Sequence, residues 1–416
     1  MATIKVNFNE IKGKIKPHHS VNNGPSKQMM TSQPDIYCNI KTYTQAGFPY
    51  ARTHDPVFYN GYGGRHTVDV RSIFKDWDKD PYDPESYDFN CTDDYMKNIL
   101  ATGTKVFYRL GASIEHEAKK YFTLPPQDNH KYAVICEHII KHLNEGWGNG
   151  HHFDIEYWEI WNEPDLDPED SPNKRCWGGT EKQFQEFYEV IAKHLKSKFP
   201  HLKIGGPYLA GHLDYGERFI DEMAKRNVPL DFFSWHSYMN EPGYIVWASE
   251  KLRGILDRNG YQNAEIINAE FNYGNYDYEE RLRVVNNYKG ATLQAATMCA
   301  CQESYLDMLM YYDARPNTTF NGMYDFYTLK PKKTWHSMVM FNTLYRLGNS
   351  YNYFYSLMAP STGKLREFDL TYVKDNGLVL RFPTIYINDK IKKYEHHPKM
   401  FEVFEEFREW AKIINV

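Results

Sequence analysis

A chain of 416 residues is long for one ordinary domain but suits a single α/β barrel of about 250 residues or more with elaborated loops. No stretch approaches the ~18 to 20 continuous apolar residues a membrane-spanning helix needs, and 16% aromatic content is too rich for a disordered chain. A net charge of -5 leaves no electrostatic footprint for nucleic acid or anionic lipid, so a neutral ligand is the expected partner.

Strand-like runs of apolar, β-branched or aromatic residues fall at Lys14 to Val21, Tyr50 to His54, Lys105 to Leu110 and Tyr157 to Trp161. Four more follow at Leu202 to Gly205, Phe232 to Tyr238, Glu265 to Phe271 and Leu306 to Tyr312. Helical periodicity lies between them, at Tyr132 to Leu143, Glu181 to Phe199, Glu217 to Arg226, Ala248 to Arg258, Leu282 to Cys299 and His336 to Leu347. This cadence means parallel pairing through right-handed crossovers, and eight units predict a closed (β/α)8 TIM barrel over residues 1–355. An open doubly wound sheet is the alternative, but no GxGxxG turn favours it.

The rhythm breaks in residues 356–416, which read as a short C-terminal strand-and-helix extension. Phe368 to Lys374 and Leu378 to Pro383 are strand-like around an Asn376-Gly377 turn. Met400, Phe401, Phe404, Phe407, Trp410, Ala411 and Ile414 then mark a helix with one buried face, expected to dock on the main domain. Met1 to Glu10 show no secretory signal, so a cytoplasmic location is expected. Six cysteines without CxxC spacing fit neither a disulfide framework nor a zinc site.

The chemistry points to the run Tyr157-Trp158-Glu159-Ile160-Trp161-Asn162-Glu163-Pro164, an apolar strand that ends in a polar pair and is stopped by proline. Barrel enzymes place catalysis at such strand ends. A carboxylate beside tryptophans is desolvated enough to hold a proton near neutral pH, as a general acid must. Asn162 offers a donor and an acceptor, which suits a sugar hydroxyl. Glu270 closes a second apolar strand, and a barrel brings it to the same mouth as Glu163. Two facing carboxylates are what glycosidic cleavage requires.

Trp161-Asn162-Glu163-Pro164 together with Ala269-Glu270-Phe271 resembles clan A of the retaining glycoside hydrolases. Val21 to Pro25, Arg52-Thr53-His54, Glu159 to Leu166 and Trp235 to Tyr238 narrow the resemblance to glycoside hydrolase family 39, which includes β-xylosidases and α-L-iduronidases. The resemblance implies that Glu163 is the acid/base and Glu270 the nucleophile. It also implies that Arg52 orients the nucleophile's surroundings, His54 binds a sugar hydroxyl, and Tyr238 hydrogen-bonds Glu270 with His236 beside it. Strand geometry agrees, since His236 and Tyr238 are two apart and share a face. Tyr311 and Tyr312 fall where the eighth strand should end, and Tyr311 is a candidate wall of the sugar site. Arg109 is a further candidate for the barrel mouth.

The expected activity is hydrolysis of O-glycosidic bonds in plant-type oligosaccharides with net retention, first as a β-xylosidase. An α-L-iduronidase-like or arabinosidase activity, or a catalytically silent carbohydrate-binding barrel, is the alternative. No metal or organic cofactor is implied, the partner is an oligosaccharide or glycoside, and a homo-oligomer is left open. Residues 356–416 are short for the β-sandwich that family members carry, unless strands from the N-terminus contribute.

Overall fold

The computed structural model describes residues 3–26, 38–54, 67–275, 277–316, 322–325, 328–358 and 365–369. The chain opens with β1 (Thr3–Lys14) and β2 (Ser20–Asn22), then α1 (Ile40–Ala46), β3 (Tyr50–Arg52), α2 (Val70–Ile73), α3 (Asn90–Ala101) and β4 (Lys105–Leu110). Regular alternation follows through α4 (Asn129–Glu145), β5 (Tyr157–Ile160), α5 (Glu181–Lys198), β6 (Lys203–Leu209), α6 (Leu213–Lys225), β7 (Phe232–Met239), α7 (Gly243–Arg258) and β8 (Glu265–Tyr273). The series ends with α8 (Tyr278–Val285), α9 (Tyr288–Ala300), β9 (Met308–Tyr311), α10 (Lys333–Leu347), β10 (Asn349–Met358) and β11 (Leu365–Asp369).

Strands β2 to β9 form a closed parallel barrel, and the expected (β/α)8 architecture is borne out. Alternation along each strand separates two apolar populations. Phe107, Tyr157, Tyr208, Phe232, Ile267, Ala269, Met308 and Met310 pack together inside the barrel. Trp158, Ile160, Phe187, Ile191 and Ile204 belong to the larger layer between barrel and helices. Helix α5 shows how local chemistry sets an element: Thr180 and Gln183 form a reciprocal capping box, and Phe184, Phe187, Tyr188, Ile191 and Leu195 then bury one stripe. No helix among the described residues is long and apolar enough to cross a membrane.

Several boundaries differ from expectation. The first barrel strand is Ser20–Asn22, at the end of the run that suggested it. Helix α6 begins earlier than Glu217 because Leu213 and Tyr215 are also buried. The single helix expected from Leu282 to Cys299 is two, α8 and α9. Asn287 breaks it by adopting extended backbone and accepting a hydrogen bond from the Lys289 amide, a local bond that competes with the helix.

Strand β6 runs to Leu209 rather than stopping at Gly205. A register shift between Pro207 and Leu209 against β7 leaves Tyr208 as an extra residue, and a second shift in β8 leaves Ala269 between Asn268 and Glu270. Such bulges re-aim side chains.

Outside the barrel, β1 pairs antiparallel with β10, and β10 with β11. N-terminal chain thus contributes to the small sheet. Of the strand expected at Phe368 to Lys374, Phe368 and Asp369 lie in β11. The expected Leu378 to Pro383 strand and the Met400 to Ile414 helix lie outside the described residues.

Candidate active site

Glu163 sits just beyond the C-terminal end of β5 in an unusual backbone turn. Trp161 and Glu163 both have left-handed φ, 77° and 47°, which side chains rarely adopt. Hydrogen bonds hold the turn: the Trp161 amide donates to the Leu110 carbonyl at 3.0 Å, and the Glu163 amide to the Tyr208 carbonyl at 2.8 Å. Gly111 makes room for it, since a Cβ there would lie 2.8 Å from the Trp161 Cα. Sparsely populated backbone of this kind clusters at functional sites.

Glu270 reaches the same mouth from β8, where the bulge at Ala269 lets two consecutive residues face inward. Tyr238 donates its hydroxyl to Glu270 Oε2 at 2.6 Å, and Tyr208 donates to Oε1 at 2.8 Å. Arg52 Nη1 is 3.6 Å from Oε1 and His54 Nε2 3.9 Å. His236 Nδ1 lies 2.5 Å from Glu163 Oε1 and 3.3 Å from Glu270 Oε2. One oxygen from each carboxylate and this nitrogen fall within 4.8 Å of one another. His236 therefore stands between the two carboxylates rather than beside one.

Arg52, fully buried, organises the floor. Its Nε donates to Glu159 Oε2 at 2.6 Å, Nη2 to Asn162 Oδ1 at 3.1 Å and Nη1 to Asn22 Oδ1 at 3.2 Å. Its guanidinium carbon stands 3.0 Å from the centre of the Tyr208 ring. Ser234 donates to the other oxygen of Glu159 at 2.7 Å, so this third buried carboxylate is also satisfied. Asn162 spends its oxygen on Arg52 and directs its amide toward Cys176 Sγ at 3.8 Å.

Burial pushes the Glu163 carboxyl up to about 8, with nearby Asp165 adding to the rise while Arg52 and the Cys176 thiol oppose it. Burial also raises Glu270, against the pull of His236, Arg52 and the Tyr238 hydroxyl toward the ionised form. Burial lowers His236 to about 4, leaving a neutral imidazole near pH 7. The pair is thus suited to carry one shared proton, held on the glutamate with fewer donors. Cys176 donates to Glu163 Oε2 at 3.7 Å, and Asp165 is pinned by the Ala210 and His212 amides at 2.7 and 3.2 Å.

The two tyrosines at the end of the eighth barrel strand separate. Tyr311, a candidate wall of the sugar site, points away from the mouth. It alternates with the inward Met308 and Met310, packs edge-on against Phe271 and lines a space with Leu293 and Thr297 of α9. Tyr312 is the ring at the mouth, 6.1 Å from His54 and 6.4 Å from Tyr238. Trp161 is likewise core, packed on Trp177 and Phe187. Arg109 pairs with Asp69 and donates to the His54 carbonyl at 3.3 Å, tying loops together.

Tyr208, Glu159, Asp165 and Cys176 complete the surroundings without having been expected there. Glu159 carried a signal, a charged residue inside an apolar strand; Cys176 carried none. Among the described residues two groups have metal-ligand spacing, Glu163 with His236 and Glu270, and Asp93 with His142 and His151.

The sequence model of glycosyl hydrolases family 39 matches residues 2–252. The chain belongs to this family. A curated β-xylosidase from Geobacillus stearothermophilus is 26% identical over 341 residues, covering 72% of this chain and 62% of that protein. The chain thus spans less than two thirds of that relative's length. Among solved structures, a glucosidase from Croceicoccus marinus aligns with a TM-score of 0.69 at 21% identity, covering 85% of this chain and 73% of that one. A monomeric β-xylosidase from Caulobacter crescentus CB15 aligns with a TM-score of 0.61 at 18% identity, covering 91% and 78%. The structural likeness is a likeness of fold.

Proposed function

We propose that the protein is a retaining glycoside hydrolase acting as a β-xylosidase, with Glu163 as acid/base and Glu270 as nucleophile. The observation that carries this reading is the convergence of the two buried carboxylates at the barrel mouth, oxygens within 4.8 Å, one with its pKa raised by burial and the other served by two tyrosine hydroxyls. Retaining enzymes hold their carboxyl groups about 5 to 5.5 Å apart, whereas inverting ones leave room for a water between. Family membership and the β-xylosidase names of its relatives support the sugar.

In the first step Glu163 gives its proton to the departing glycosidic oxygen while Glu270 attacks the anomeric carbon, forming a glycosyl ester. The Glu163 carboxylate then takes a proton from water, which attacks the same carbon and releases Glu270. Arg52 and the two tyrosines keep Glu270 ionised and oriented, and His236 spaces the pair. Asn162, His54 and Tyr312 are the proposed contacts to sugar hydroxyls and faces.

A panel of aryl β-xyloside, α-arabinofuranoside, β-glucoside, glucuronide and iduronide tests the substrate. Arginines at the rim are the reason to keep the uronides, since the Arg281 and Arg315 guanidiniums lie 4.8 and 5.6 Å from the Tyr238 and Tyr312 ring centres. β-Xyloside is expected to turn over fastest, with retained configuration by proton NMR, and Glu270→Ala to abolish it. Inverted product would remove the nucleophile assignment; a faster uronide would replace the sugar.

A further inference from the structure

In the outer helical layer, Asp93 on α3 meets His142, in the last turn of α4, and His151 in the loop that follows. Asp93 Oδ1 lies 3.0 Å from His142 Nε2, and Oδ2 lies 2.8 Å from His151 Nε2. The other nitrogen of His142, Nδ1, is 2.9 Å from the Trp147 carbonyl oxygen. A carbonyl only accepts, so Nδ1 carries the hydrogen and the Nε2 of a neutral ring presents its lone pair to the carboxylate. Two acceptors at 3.0 Å need a positive charge between them, either a second proton or a metal ion.

The surroundings suit a metal ion. An imidazole that donates its far N–H to a backbone carbonyl is held in the tautomer and orientation a metal ligand requires. Both rings are clamped by aromatic faces, His142 against Phe89 at 3.6 Å and 3°, and His151 against Phe153 at 4.4 Å and 16°. The loop is built to bring them together. Gly146 caps α4 in the left-handed conformation, and Gly150 passes so close that a Cβ would lie 2.0 Å from the His142 carbonyl oxygen. That oxygen instead accepts the His151 amide at 2.6 Å. Among the described residues the ion-pair partners of Asp93 are these two histidines. His142 is 3% exposed, while His151 and Asp93 at 21% and 17% leave a path from solvent.

We propose that Asp93, His142 and His151 form a zinc site of two imidazole nitrogens and one carboxylate oxygen, with a remaining position for water. The bound ion fastens the 146–151 loop and the end of α4 to the start of α3, away from the carboxylate pair at the barrel mouth.

The test is calorimetric titration of chelator-treated full-length protein with zinc chloride, with cobalt(II) absorption as a second reading. One equivalent is expected to bind, cobalt(II) to give visible bands of a nitrogen–oxygen site, and Tm to rise with zinc. Asp93→Asn and His151→Gln should each weaken binding by at least about tenfold. His142→Gln should do the same, and if that variant fails to fold, the partly exposed His151 and the cobalt spectrum decide. Absence of saturable binding by the wild type would overturn the site. Undiminished binding in His151→Gln and Asp93→Asn would also do so, by assigning the zinc to others of the 17 histidines.

Discussion

Tyr208 gives Glu270 a second hydroxyl donor and at the same time supports Arg52 on its ring face. A hydrogen bond to a charged group contributes about 1.5 to 3 kcal/mol, so Tyr208→Phe is expected to lower kcat/KM on an aryl β-xyloside by roughly 10- to 100-fold. Losing a donor to the ionised form raises the Glu270 pKa, which moves the acid limb of the pH profile upward. A merely structural tyrosine would lower the rate without moving that limb. On the alkaline side, the proposed mechanism needs Glu163 protonated to act as acid, so activity should fall as pH rises through about 8. Glu163→Gln should remove that limb on substrates with a good leaving group, and a limb that persists would assign it to another residue. The placement of Glu163 and Glu270 at one mouth was legible because each ends an apolar strand with a carboxylate. Tyr208 was not, because Gly205-Gly206-Pro207 reads as the end of a strand and here is its bulged continuation.

At the scale of elements, β6 depends on having no side chain at Gly205. A Cβ there would lie 2.3 Å from the Phe232 carbonyl oxygen and 2.7 Å from its ring. Gly205→Ala must push β6 from β7, and overpacking of this kind costs about 1 to 3 kcal/mol. A lowered urea midpoint with unchanged slope would show it, and an unchanged midpoint would show that the two strands yield freely. Periodicity revealed the barrel because each buried strand and each half-buried helix repeats its pattern over enough residues. It located ends less well. The three-residue β2 is too short to show a period, and the α8–α9 break rests on the local hydrogen bond of Asn287. Both bulges were invisible for the same reason, since an inserted residue shifts the phase without changing the composition.

For the whole molecule, the small sheet matters through where it lies in the chain. Barrel closure between β2 and β9 is brief, pairing Ser20 with Met310 and Val21 with Tyr311. The antiparallel β1–β10 ladder runs from Thr3 opposite Ser356 to Lys14 opposite Asn349, and the Ile15 amide extends it by donating to the Gly348 carbonyl at 2.9 Å. Deleting residues 1–14 is expected to lower Tm by several degrees and to leave the β10 edge open to association, while kcat on an aryl glycoside stays within about twofold. A loss of activity parallel to the loss of Tm would show instead that the ladder shapes the mouth. While the ladder holds, β2 and β9 can separate only by the slack of the segments that join them to β1 and β10. Each strand is then held near the other at high effective concentration, which favours reclosure of a seam only two residue pairs long.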